Sequence, residues 1–413
     1  MSADPSLLAR PSVPGEAGLA VEVAPLPALR AEWAWLEPRS RTRNVFNGWT
    51  FVDAWWEHFR ESVDGRTPRE GRVFVVRNPA GQPVAIVPLY VDPRSTRLGR
   101  VRVLRNVGYG DVVNPDFLDA LCIPGFEERV AAALAPRLFA DPGWDFAQFS
   151  ELAEGGSLAL MAQVWSEQRL ALVRRETRSP CPFLPLPGSF DEFMAARNPH
   201  FRQQLRRYRR KIERELGVEW KRVGKDIDVD AGMDLLARLH QARMESTGRG
   251  GNFKKDDYQR FHRALAGRLA ESGELYFWVL TIEGLPGASH YGFLHDGVYY
   301  GYQMGFTPQY ERWSLGHYMT GVVVEKLIEE EHAREMSLLR GRDAWKFRWT
   351  DEVRWTESIT MLRPGLRSRW LHFGAVVSQS PPLVLRSLVG RDAFDELRSA
   401  TARAGRAVTG AAE

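Results

Sequence analysis

The sequence predicts an α/β protein built as two similar halves, and three observations predict it. Apolar, β-branched runs follow segments of helical period. The same helix-then-hairpin order occurs twice. Gly81, Pro83 and Ala85 of one hairpin recur as Gly284, Pro286 and Ala288 of the other, at a constant offset of 203 residues. In the first half, residues 49–59 read as a helix with Val52, Trp55, Trp56 and Phe59 on one face. Residues 73–91 follow as two strands joined by Asn78-Pro79-Ala80-Gly81, a hairpin signature. In the second half, residues 258–269 read as a helix with Phe261, Leu265 and Leu269 aligned. Residues 275–306 then read as three strands turning at Glu283-Gly284 and Asp296-Gly297.

A chain of 413 residues exceeds what one hydrophobic core organises, which favours two domains. The formal charge of +4 is too small to make nucleic acid or a membrane the default partner. Cys122 and Cys181 are the only cysteines, so a disulfide framework or a four-cysteine metal site is excluded. Two reduced, buried thiols fit a reducing cytoplasm, and a single bridge stays open. No basic segment followed by an apolar run opens the chain, and no apolar stretch approaches the roughly 18 residues that span a bilayer. The expectation is a cytoplasmic protein with no membrane span.

Residues 1–20, rich in Pro, Ala, Gly and Ser, read as a disordered leader, with a first domain over 21–178. The join near 176–188 carries three prolines in CPFLPLPG. A second domain then covers 179–372, and 373–413 holds a C-terminal helix, around 382–400, and a tail. Ser189 with Glu192 makes a capping box. Asn198-Pro199 restarts the helix, Asn198 as cap and Pro199 at its first position. Phe201, Leu205, Tyr208, Ile212 and Leu216 mark one apolar face, and Arg202, Arg206, Arg207, Arg209, Arg210, Lys211 and Arg214 occupy the rest.

After the second hairpin, a polar turn over 307–314 leads into a helix opening at Leu315-Gly316-His317. Ser314 is a cap type and Gly316 lets a ligand approach the first turn. Such a helix start presents unpaired N–H groups suited to a pyrophosphate, with Arg312 beside it. An ordinary capped helix has the same signature. A short strand, 336–339, precedes RGRDAWKFRW (340–349), in which Asp343, Trp345, Lys346 and Trp349 sit within a turn or so of each other. A salt-bridged surface helix would read the same way. No His, Cys, Asp and Glu spacing suits a metal, and neither a nucleophile elbow nor a P-loop is present.

These pieces resemble the GNAT-type acyltransferase domain of the CelD cellulose-biosynthesis proteins, a group distantly similar to the FemAB aminoacyltransferases. The resemblance lies in NVFNGWTFVDAWW and GQPVAIVPLY, then in FRQQLRRYRRKIERELG, YYGYQMGFTPQYERWSLGHYM and LLRGRDAWKFRW, and spans roughly residues 45 to 372. It departs from the family at Ser337, Leu338 and Leu339, where an aspartate is usual. It departs again at Trp345, where Tyr is usual, and at Ser314-Leu315-Gly316, where the glycine signature is reduced. The resemblance implies two tandem GNAT-like domains with mixed central sheets flanked by helices, the first without catalysis. It implies acyl transfer from acetyl-CoA or another acyl-CoA to an amine or hydroxyl of a sugar, peptide or amino acid, without a metal.

Under that reading Asp343 and His290 are candidate bases, and Tyr302 and Lys346 candidate orienting or protonating groups. The 299–303 strand supplies oxyanion donors. Gln303, Arg312, Ser314, Leu315, Gly316 and His317 would hold the cofactor, and Arg202, Arg206 and Trp345 the acceptor. A structural histidine is the plain alternative for His290 and for His317, and a solvated face is the alternative for the arginine helix. Two further readings remain: a catalytically inactive scaffold for polysaccharide assembly, and an enzyme or binding module that takes nucleic acid on the arginine helix. DNA is not expected, and a tRNA-borne donor, as in FemAB-type transfer, stays open.

Overall fold

The computed structural model describes residues 13–14, 18–61, 68–96, 99–110, 112–246, 248 and 250–379. The first half runs β1 (Val13–Pro14), β2 (Ala20–Val23), α1 (Arg30–Leu36), α2 (Trp49–Phe59), β3 (Glu70–Arg77), β4 (Pro83–Thr96) and β5 (Gly99–Asn106). It continues with β6 (Leu121–Cys122), α3 (Glu127–Ala140), β7 (Phe146–Ala153) and α4 (Ser157–Glu167). Next, β8 (Leu172–Pro185) leads to α5 (Phe190–Ala195), α6 (Pro199–Glu215), β9 (Val218–Arg222), α7 (Val229–Ser246) and α8 (Asp256–Glu271). Last come β10 (Leu275–Ile282), β11 (Leu285–His295), β12 (Val298–Phe306), α9 (Leu315–Glu329), β13 (Glu335–Ser337), β14 (Val353–Leu362) and α10 (Leu366–Gln379). Part of the expected leader is paired, since Val13 and Pro14 face Val21 and Ala20. The helix expected at 382–400 lies outside the described residues.

One mixed sheet runs β1-β2-β3-β4-β5-β7-β14-β8-β13-β12-β11-β10-β9. Read outward from the β14–β8 pair, the two sides repeat each other. Each has a strand parallel to its neighbour, β7 on β5 and β13 on β12, and then an antiparallel hairpin. The hairpins share a bulge as well as a sequence. In one, Val76 faces Ala85 but Arg77 faces Pro83; in the other, Leu280 faces Ala288 but Thr281 faces Pro286. Gly81 and Gly284, both at φ +78, make the turns. The small residues matched in sequence are those the bulge and turn need.

The last strand of each half lies beside the other half. β8, which ends the first half, pairs with β13, and β14, which ends the second, pairs with β7. The proline-rich join is therefore a strand of the sheet. Pro182 is tolerated where the strand changes partner from β14 to β13, and Pro185 because it is the last residue of the strand.

Both faces of the second-half sheet are covered, so its strands read as continuous apolar runs. Along β10, Phe277 and Val279 face α7 and α8, while Tyr276, Trp278 and Leu280 face α5, α6 and α9. The expected caps hold: Glu192 N–H donates to Ser189 Oγ at 3.2 Å and Phe201 N–H to Asn198 Oδ1 at 2.9 Å. Leu205, Ile212 and Leu216 of α6 are buried, as the apolar stripe requires. Cys122 and Cys181 are buried free thiols, and burial pushes both thiols well up.

Candidate active site

β12 and β13 stay together only from Val298↔Glu335 to Tyr300↔Ser337, and from Gly301 onward that edge of β12 has no strand partner. On its other edge β12 bulges: Tyr291 faces Gln303 and Gly292 faces Gly301, leaving Tyr302 unpaired in the ladder. A cavity of about 410 Å³ opens in the splay. Gly301, Tyr302, Gln303 and Met304 line it from one side, and Met336, Leu338 and Leu339 from the other. His240 and Arg243 of α7 and Tyr258 of α8 close its back, and Asn114–Asp116 of the first half complete it.

The NVFNGW segment explains how the first half reaches this cavity. Asn44 and Asn47 side chains both donate to the Phe117 carbonyl, at 2.8 and 3.0 Å, and Asn47 Oδ1 accepts from Asp119 N–H at 3.0 Å. Phe46 inserts into the second half, its ring 5.5 Å from that of Tyr300. The loop carrying Asp116 is thus held from behind by two amides and an aromatic wedge.

Asp116 meets Arg340 at the junction. Arg340 N–H donates to Asp116 Oδ2 at 2.7 Å, its Nη2 to the Asn114 carbonyl at 2.6 Å, and its Nη1 lies 3.0 Å from Glu151. Glu151 also accepts from Thr356 Oγ1 at 2.6 Å. Asp116 Oδ1 is buried and makes no hydrogen bond among the described residues, although Arg340 Nε lies 3.4 Å away. Burial opposes the charge on Asp116, and Arg340, shared with Glu151, only partly offsets it. The carboxyl is pushed up to about 6. For Arg340 the balance reverses: burial works against its charge, but Asp116 and Glu151 outweigh it and its pKa rises.

Lys346 is buried, and its ammonium donates to the Leu339 and Arg340 carbonyls at 3.0 and 2.6 Å. Burial lowers its pKa, with Asp343 and Asp116 partly countering. Gly341, at φ +139, makes room for this pair. A Cβ there would lie 2.8 Å from Asp343 Oδ2 and 3.1 Å from Lys346 Nζ. Phe117, Glu151 and Leu339, all within this network, take positive φ without being glycine.

His290 hydrogen-bonds Tyr299 Oη through Nδ1 at 2.6 Å. Burial lowers His290 to about 4 and raises Tyr299, so the pair is a neutral imidazole and a neutral phenol. His240, also lowered by burial to about 4, lines the cavity with Nδ1 unpartnered among the described residues. Gln303 donates to Tyr258 Oη at 3.2 Å.

Of the residues the sequence singles out, Asp343, Lys346, His290, Tyr302, Gln303 and Trp345 all line this cavity. Arg312, Ser314, Leu315, Gly316 and His317 do not. Leu315, Gly316 and His317 form the first turn of α9, with Ser314 at its cap position and Arg312 in the turn before, and α9 abuts the far end of β12: a Cβ on Gly316 would lie 3.7 Å from Met304 Sδ. Arg312 lies over the Trp313 ring, and the Leu315 side chain is buried in the core. His317 is stacked between Tyr208 and Trp349, and burial, then Arg348, lowers its pKa. Ser314 corrects an expectation. Its side chain caps nothing, and it is left-handed, at φ 56 and ψ 42. The turn before it (Pro308–Trp313) ends on Ser314 just as α9 begins, so one residue must reverse the chain. Its carbonyl, not its hydroxyl, receives the His317 and Tyr318 N–H groups.

Arg202 and Arg206 lie apart from the cavity on α6. Arg202 reaches the Ala195 carbonyl at 3.5 Å, and Arg206 borders a cleft against Tyr318 and Gly321. Residues 340–349 do not form a surface helix. They make a loop and one short turn (Lys346–Arg348) that turns Lys346 inward. Asp116 and His240 go unmarked by the sequence, since one lies in a loop and the other on a helix with no spacing signal, and Arg340 opens the RGRDAWKFRW run without being singled out there. Among the described residues no group of three or more His, Cys, Asp or Glu could hold a metal, and no helix is long and apolar enough to cross a membrane.

Fold and site together define a mixed α/β protein whose second half opens a parallel strand pair around a polar cavity. Residues 199–347 match the model of the acetyltransferase (GNAT) domain. Among solved structures, FemX overlaps 82% of this chain and 96% of its own, with a TM-score of 0.56 and 9% identity. A conserved protein of unknown function from Bacteroides thetaiotaomicron overlaps 83% and 99%, with a TM-score of 0.50 and 11% identity. A tandem GNAT protein from the clavulanic acid biosynthesis pathway overlaps 84% and 100%, at 0.47 and 12%. At such identities the likeness to FemX is one of fold. No curated protein matches the chain in sequence.

Proposed function

We propose that this protein transfers an acyl group from acyl-CoA to an amine of a polar acceptor, a sugar, peptide or amino acid, in the splay between β12 and β13. The observation that carries the reading is the convergence of Asp116, Asp343 and Lys346 on a cavity walled by an unpaired, bulged strand edge. The acyl donor lies along that edge, its diphosphate at the start of α9, where the Leu315 and Gly316 N–H groups, without a partner among the described residues, and Arg312 favour an anion. Backbone N–H groups of 301–303 meet the developing oxyanion.

The acceptor nitrogen attacks the thioester carbon and gives its proton to Asp116, a carboxylate available above about pH 6. The nitrogen–carbon bond forms and the carbon–sulfur bond breaks. Lys346, whose pKa burial lowers, protonates the departing thiolate. Asp343 orients the acceptor, whose ammonium passes its first proton to water and attacks as the neutral amine. The first half is a wall rather than a second catalyst, since Asn106 fills the equivalent opening. Its side chain spans β5 and β7, bonding Ser150 N–H at 3.0 Å and Ser150 carbonyl at 3.2 Å. The CelD-type resemblance suggests polysaccharide assembly as the setting.

The test is release of free CoA from acetyl-CoA and longer acyl-CoAs, screened against amino sugars and amino acids. Release that depends on the acceptor and fails in Asp116→Asn supports the reading. Failure of any CoA thioester to bind at millimolar concentration ends it. A second reading rests on α6, where Arg202, Arg206, Arg207 and Arg210 make no ion pair among the described residues. Such a face suits a donor carried on tRNA, as the FemAB resemblance implies. Turnover with aminoacyl-tRNA but not acyl-CoA would select it.

A further inference from the structure

Six large apolar side chains stand exposed among the described residues, and four of them, Leu172, Leu366, Trp370 and Phe373, gather at one place. Three lie on α10. Its inner face is set by Ser368, Leu371, His372 and Ala375, which pack on Val101, Val103 and Phe146 or bond the chain beneath. Leu366, Trp370 and Phe373, spaced four and three apart, form the opposite face, and Trp370 and Phe373 touch each other. Leu172 joins them from the sheet: it pairs with Leu362, whose side chain packs beneath α10, so the two point to the same side. An apolar stripe so exposed is unusual on a soluble surface.

Its borders are cationic. By helical spacing Arg367 and Arg369 fall on either side of the stripe, both exposed. Arg174, two residues along β8 from Leu172 and so on the same sheet face, lies near enough for its charge to act on His372. Two acids lie here: buried Asp145, 3.7 Å from the exposed Arg367 guanidinium, and Glu176, held by Arg174 and Arg178; Arg369 has no ion pair among the described residues.

We propose that α10 is a docking surface for an anionic lipid membrane. Leu366, Trp370 and Phe373 enter the interface, while Arg367, Arg369 and Arg174 meet lipid phosphates. A tryptophan and phenylalanine between arginines is the composition that settles at the boundary of headgroups and acyl chains. Charge complementarity favours this occupant over a second copy, because a two-fold contact through the stripe would set arginine against arginine. The placement is independent of the catalytic reading and uses none of the cavity residues.

The test is co-sedimentation of the full chain with phosphatidylcholine vesicles, with and without phosphatidylglycerol. The chain is expected to bind the anionic vesicles, on the order of tenfold or more tighter than the neutral ones, and to lose that margin in high salt. The pair Trp370→Ser and Phe373→Ser should weaken binding on the order of tenfold while leaving the melting temperature in place. The pair Arg367→Gln and Arg369→Gln should erase the preference for anionic lipid. Three results each overturn the proposal: no binding to either vesicle, unchanged binding by the serine pair, or a concentration-dependent dimer that the serine pair dissolves.

Discussion

Asp116 sits where three demands meet: it receives the Arg340 amide, lies beside the Arg340 guanidinium, and keeps one oxygen without a donor among the described residues. Burial raises it to about 6, so the carboxylate that can take a proton is present above that value and lost below it. Turnover should therefore fall as pH drops through about 6. Asp116→Asn should remove that limb and slow the reaction on the order of a hundredfold or more, since general-base groups contribute at least that. A pH profile of the two proteins side by side checks it. Gly341→Ala tests the neighbouring geometry. At φ +139 any side chain is strained, and its Cβ would push on Asp343 and Lys346. Loss of turnover with a melting temperature lowered by only a few degrees is the expected result. Asp343, Lys346 and Tyr302 are legible in sequence because a glycine or an aromatic strand marks their surroundings. Asp116 is not, because Asn114-Pro115-Asp116 has no period and acts only through a fold that brings position 116 to position 340.

At the level of elements, the contrast between the two parallel pairs explains which half is open. β12 and β13 part after Tyr300 and Ser337, whereas Asn106 holds β5 to β7 by standing in for a missing strand residue. Asn106→Ala should leave the Ser150 N–H and carbonyl unpaired in a buried place, costing about 1 to 3 kcal/mol of stability. Denaturant unfolding measures the loss, and turnover per folded molecule should not change. The strands, hairpin turns and α6 caps are legible because their signals are local. Ser314 misleads for the opposite reason. A serine before an apolar helix is a cap by local rules, but here the preceding turn forces it left-handed and turns its hydroxyl away. Residues 340–349 mislead likewise, as the deep position of Lys346 depends on carbonyl partners that folding supplies.

Across the whole molecule, the duplication is legible in three small residues, and the exchange of last strands is not. β8 and β14 carry no sequence mark of changing sides, and a division of the chain at 178/179 falls inside β8. The halves also meet through α2 and α8, where Phe51 packs on Phe261 and Arg268 pairs with Asp53 and Glu57. His295 joins them too, lying 2.5 Å from Glu274 and 3.3 Å from Glu37. Burial disfavours its charge, but hydrogen bonds to Glu274 and Glu37 outweigh that and raise it to about 9. Its stabilising contribution is full below the unfolded value near 6.5 and disappears as pH rises through about 9. His295→Gln should cost on the order of 2 kcal/mol at neutral pH and little at pH values above about 10, read by chemical denaturation at each pH.

The account rests on the parted strands receiving the acyl donor. A crystal structure with an unreactive thioether analogue of acetyl-CoA tests this most directly. The account predicts the analogue's carbonyl within hydrogen-bond reach of the 301–303 backbone and its diphosphate at the start of α9. An analogue bound elsewhere, with the gap between β12 and β13 left vacant, would contradict it.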